Sequence, residues 1–79
     1  MKITVLKYPK KFIQKLSKKD QQRITTAILK IPEGDITPFR SRDSAYRLRV
    51  GDWRIVYDMI GNYDEIIIRE IGNRGDVYK

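Results

Sequence analysis

Apolar positions along the chain follow two periods, one near 3.6 residues and one of two, and they change over twice. At the start, "KITVLKY" sets Ile3 and Val5 against Thr4 and Leu6 and predicts a short strand. Pro9 ends it and fits the first turn of a helix. Phe12, Ile13 and Leu16 then recur at helical spacing, with Lys10, Lys11 and Lys15 turned outward. "SKKD", Ser17 to Asp20, has the form of a capping box with Asp in place of Glu. Behind it Ile24, Ala27, Ile28 and Ile31 make one stripe, which Pro32 and "EGD" stop. Residues 9 to 31 therefore predict two short amphipathic helices in an αα-hairpin, and residues 32 to 44, with Arg40 and Arg42, read as loop.

From residue 45 the period becomes two. In "AYRLRVGDWRIVYDM", Tyr46, Leu48 and Val50 alternate with Arg47 and Arg49, and after Gly51-Asp52 come Trp53, Ile55, Tyr57 and Met59. A two-residue loop at Gly51-Asp52 pairs Val50 with Trp53, Arg49 with Arg54 and Leu48 with Ile55. Arg47, Arg49 and Arg54 then share one face. Like charges set opposite each other weaken a sheet, so their retention points to an anion. Gly61-Asn62 supplies another turn, and "EIIIREI", like its neighbour "RIVYDMI", reads as a central strand buried on both faces. Arg69 joins the arginine face only if that turn holds an even number of residues.

The order is β-αα-β-β-β, an α+β fold with a helical hairpin on one face of a small, mostly antiparallel sheet. Trp53, Ile55, Tyr57, Ile66 and Ile68 cover the helix side, and the arginines occupy an uncovered one. Tyr46 and Tyr63 read as structural or exposed.

Composition narrows the chemistry. Seventy-nine residues suit one domain, 1–79, with one small core. The chain has no Cys and no His, so disulfides, cysteine metal sites and the usual general base are all missing. Seventeen Lys and Arg against ten Asp and Glu give a net charge of +7, which points to nucleic acid or another acidic partner. No apolar run approaches the ~20 residues of a membrane span, and "MKITVLKYPKK" is not a signal peptide. A soluble, cytoplasmic protein is expected.

"YRLRVGDWRIVYDM", the isoleucine-rich strand and the ending "IGNRGDVYK" together resemble the RelE/ParE superfamily of toxin–antitoxin toxins, over the whole chain. The resemblance implies a RelE-like, metal-independent endoribonuclease without cofactors. It would act in the ribosomal A site on messenger RNA, where a 2′-hydroxyl attacks the adjacent phosphate. Carried over by position, the catalytic set is Arg54, Arg74, Tyr78 and Arg47. Arg49, Lys10, Lys11, Lys15 and Asn73 would bind RNA. The implied partner is a RelB-like antitoxin that folds on binding, the free toxin being a monomer and the complex a hetero-oligomer.

The chain departs from the pattern twice. Asn73 stands where many relatives carry a histidine, and Ala45 where RelE itself has one lysine of a pair. The general base is therefore open, with Asp52, Asp58 and Asp76 as carboxylate candidates. Arg54 and Arg74 suit phosphate because a guanidinium presents a planar, permanently charged fork. Tyr78 would stack a base, orient the 2′-hydroxyl or exchange a proton. Two rival readings share the fold: a ParE-like gyrase inhibitor, and a non-catalytic RNA- or ribosome-binding module.

Overall fold

A computed structural model of the chain describes residues 1–39 and 44–73. The elements are β1 (Lys2–Val5), α1 (Lys7–Gln14), α2 (Lys18–Leu29), β2 (Asp35–Pro38), β3 (Ala45–Val50), β4 (Trp53–Ile60) and β5 (Glu65–Asn73). They form one sheet in the order β1-β5-β4-β3-β2, antiparallel except for the β1–β5 pair. Both helices lie on one face, so the expected α+β architecture stands.

The helical hairpin forms for the reasons its sequence supplies. Helix α1 begins at Lys7, two residues before the expected start. Pro9 still sits in its first turn, where a missing N–H leaves no bond unmade. Ser17 caps α2, its side-chain oxygen accepting from the Asp20 backbone N–H at 3.2 Å. The Gln21 side-chain amide donates to the Leu16 carbonyl at 2.9 Å, tying the second helix to the turn before it. Ile24 and Ile28 of α2, with Ile31 just beyond it, pack on Leu48, Ile55, Tyr57, Ile66 and Ile68. Tyr46 stacks on Tyr57 with ring centroids 5.7 Å apart, and Tyr63 packs at the margin of this core.

Two expectations change. Residues 35–38 are not loop but the edge strand β2, with Asp35 opposite Arg49, Ile36 opposite Leu48 and Thr37 opposite Arg47. The reason is visible in "DITP": Ile36 reaches the helix-side core, and Pro38 lacks an N–H that an outer edge does not need. The second change concerns the face away from the helices, which is not open at its centre. Arg54 and Asp58 are each 4% exposed and Val56 1%, because β4 is a central strand flanked by β3 and β5.

Candidate active site

The β3–β4 hairpin has the expected register: Val50 opposite Trp53, Leu48 opposite Ile55, Arg49 opposite Arg54 and Arg47 opposite Val56. Gly51 opens its two-residue loop at φ +57°, a conformation that suits glycine, and a Cβ there would lie 2.8 Å from Nη2 of Arg23. That guanidinium sits over the Trp53 ring, 5.6 Å from its centroid, and fastens α2 to the hairpin tip. Residues opposite each other in an antiparallel pair share a face. Arg47, Arg49 and Arg54 are therefore together on the side away from the helices.

These arginines differ in surroundings. Arg49 is exposed, and its Nε lies 3.9 Å from Oδ2 of Asp35 across the edge strand. This carboxylate eases the Arg49–Arg54 repulsion, although such an exposed pair contributes only about 0–1 kcal/mol. Arg47 is half-buried. Arg54 is buried, with Nη1 donating to the Gly51 carbonyl at 3.4 Å and the Trp53 carbonyl at 3.3 Å. Its Nε is buried with no hydrogen-bond partner among the described residues. A charged donor held out of water without an acceptor is costly, and it suits an anion that brings the missing acceptor.

The turn between β4 and β5 spans residues 61–64, an even number, so Arg69 does come to the arginine face. There its Nε pairs with Oδ2 of Asp58. Asp58 is thereby engaged as the acidic partner of an arginine, while Asp52 lies in the hairpin turn. The register also shifts at Val56/Tyr57: Tyr57 opposes Ile68 but Val56 opposes Glu70, leaving Arg69 as the additional residue of a bulge. Glu70 is thus turned to the face of Val56 and Arg54, which sequence reasoning missed. The signal was present in "IIIREI", where the core isoleucines are spaced 66, 68, 71, two residues and then three. A spacing of three inside a period of two marks a bulge.

Not every expected site residue reaches this face. Lys10 and Lys11 on α1, and Lys15 at its C-terminal cap, are exposed on the helix side of the sheet. Asn73 lies opposite Trp53 and so belongs by register to the helix side. Ala45 is buried opposite Asp58. Arg74, Asp76 and Tyr78, like Arg40 and Arg42, lie outside the described residues.

No family model and no curated protein matches the chain. Solved structures do. A chain of the archaeal RelE–RelB complex from Pyrococcus horikoshii OT3 superposes with a TM-score of 0.76 at 25% identity, over 95% of this chain and 96% of that one. The fold is RelE-like. The RelB–RelE antitoxin–toxin complex from Methanococcus jannaschii gives a TM-score of 0.75 at 24% identity, covering 95% and 94%. The isolated E. coli RelE toxin gives 0.75 at 17% identity, covering 98% and 89%. The RelE-like likeness thus extends over nearly the whole of each chain. Among the described residues no helix is long and apolar enough to cross a membrane.

Proposed function

We propose that this chain is the toxin of a toxin–antitoxin pair and a metal-independent endoribonuclease that cuts messenger RNA in the ribosomal A site. The observation that carries the reading is Arg54: a buried guanidinium whose Nε has no partner among the described residues, in a RelE-like fold, on a face shared with Arg47, Arg49 and Arg69. In-line attack of a 2′-hydroxyl builds negative charge on the non-bridging phosphate oxygens. A fixed donor beneath those oxygens binds the transition state more tightly than the ground state. Arg54 acts there, with Arg47 beside it, and Arg74 and Tyr78 complete the set by their positions in the sequence. Arg49 binds the RNA backbone nearby. Lys10, Lys11 and Lys15, on the far side of the sheet, hold ribosomal RNA phosphates in a salt-dependent way.

The partner is a RelB-like antitoxin. The likeness to RelE chains solved with RelB supports this, as does a net charge of +7 that would otherwise stand unmasked. The free toxin is a single-domain monomer in the cytoplasm, and its complex with the antitoxin a hetero-oligomer.

Induced expression of wild type beside Arg54→Ala and Arg74→Ala, with growth scored and transcript 5′ ends mapped, tests the reading. Growth arrest with cuts in codon register, lost in either variant, is the expected result. Arrest without cuts would refute the nuclease and move the target to gyrase, as for a ParE-like inhibitor, or to simple ribosome occlusion.

A further inference from the structure

The absence of histidine leaves the general base of the proposed cleavage to be found among other groups. We infer that Glu70 is that base. The inference rests on the endoribonuclease reading and adds to it the group that accepts the 2′-hydroxyl proton.

Three observations carry it. The first is placement. Across β4, Arg47, Val56 and Glu70 form one rung of the sheet, and Arg49, Arg54 and Gly72 form the next. The backbones of β3 and β5 are two strand spacings apart, about 10 Å. Side chains of Arg47 and Glu70 can therefore flank a phosphodiester bound between them, with Arg54 one rung along, its Nη1 turned to the Gly51 and Trp53 carbonyls at the hairpin tip. Gly72 contributes no side chain to the β5 side of that position.

The second observation is the bulge. Without it, strict alternation would carry Glu70 to the helix side, among the core isoleucines. Bulges occur beside active sites, where they re-aim a side chain, and this one delivers Arg69 and Glu70 to the arginine face together.

The third is availability. Of the carboxylates on this face among the described residues, Asp58 pairs with Arg69, Asp35 lies against Arg49, and Glu65 accepts from the Thr4 hydroxyl at 3.1 Å. Glu70 is exposed and makes no ion pair among the described residues.

The step balances with water alone. The 2′-O–H bond breaks and its proton passes to the Glu70 carboxylate, while the 2′-oxygen forms a bond to phosphorus. The P–O5′ bond breaks, and the 5′-oxygen leaves with the electron pair and takes a proton from solvent. Glu70 returns its proton to solvent afterwards. The charged groups facing Glu70 are Arg47 from β3, Arg54 and Asp58 from β4, and Arg69 from its own strand. Strand β1 ends at Val5, opposite Ile68, and stops short of it.

The test is single-turnover cleavage of messenger RNA held in programmed ribosomes, measured across pH for wild type, Glu70→Gln and Glu70→Asp. Expected are a loss of about 10²–10⁴-fold in Glu70→Gln, partial recovery in Glu70→Asp, and an acid limb in the wild-type profile that is absent from Glu70→Gln. Binding of messenger RNA blocked by a 2′-deoxy sugar at the cleavage position should be unchanged, as should thermal stability. A substrate with sulfur as the 5′ leaving atom, which needs no protonation, should keep the Glu70→Gln defect in full. Wild-type rate and pH profile in Glu70→Gln would overturn the assignment, as would a defect confined to binding or abolished by the sulfur substrate. Failure of the underlying reading is distinct, because wild type itself then leaves the messenger uncut and the Glu70 role falls with it.

Discussion

Replacing Arg54 by Met should make the free protein more stable and the proposed enzyme inactive. The two long bonds from Nη1, at 3.3 and 3.4 Å, offset little, since even a well-formed hydrogen bond contributes only about 0.5–1.5 kcal/mol net. Against them stand a buried guanidinium and an Nε with no acceptor among the described residues. Leaving a buried donor unsatisfied costs about 1–3 kcal/mol, and exchanging buried ionic groups for apolar ones of similar volume often gains about 1–4 kcal/mol. The expected net gain for Arg54→Met is about 1–3 kcal/mol. In a domain this small that is about 4–8 °C in Tm for each kcal/mol. The same change removes a transition-state donor, worth about 10²–10³ in rate. Urea denaturation of both proteins, with ribosomal cleavage assayed in parallel, reads the two effects together. Adding a non-cleavable oligonucleotide at 100 times its Kd should stabilise wild type by about 2.7 kcal/mol, and Arg54→Met much less. A variant that loses stability, or that gains it and still cleaves, would refute the reasoning.

Further expectations concern the core and its caps. Tyr57 is buried with a hydroxyl unpartnered among the described residues, and burial first, then Tyr63 and Tyr46, push its phenol up to about 12 from 10.0. The native state keeps this proton where the unfolded chain has lost it, so the contribution is intact below pH 10 and is lost as pH rises toward 12. Stability should fall in that window by no more than about 1.4 kcal/mol per pH unit. Tyr57→Phe should abolish this phase and gain up to about 1 kcal/mol at neutral pH, both measurable by denaturation against pH. Ser17→Ala removes the cap of α2 and should cost about 1 kcal/mol by the same measurement. Gly51→Ala meets both a positive φ and the Arg23 guanidinium, and should cost about 1–3 kcal/mol.

Long periodic segments were legible in the sequence because each buries one face. The stripe Ile24, Ala27, Ile28, Ile31 and the alternation of β3 and β4 allow no other register without exposing the core. Strand β2 was not legible, since four residues with one inward apolar side chain carry almost no periodic signal, and pairing with β3 makes the strand. The arginine face followed from parity alone. Burial of Arg54 did not: the apolar run "RIVYDMI" marks β4 as a central strand, but parity alone leaves the arginine face open, and how far side chains cover it is set by the fold. Glu70 is not legible from alternation, because period-two counting runs through Arg69, where the ladder inserts a residue.

The central claim is a transesterification, and the chemistry of the cut ends tests it most directly. Purified protein, added to washed ribosomes carrying a defined messenger in the A site, should leave a 2′,3′-cyclic phosphate upstream of the cut and a free 5′-hydroxyl downstream, and Arg54→Ala should leave the messenger intact. A 3′-hydroxyl paired with a 5′-phosphate, or equal cutting by wild type and Arg54→Ala, would contradict it.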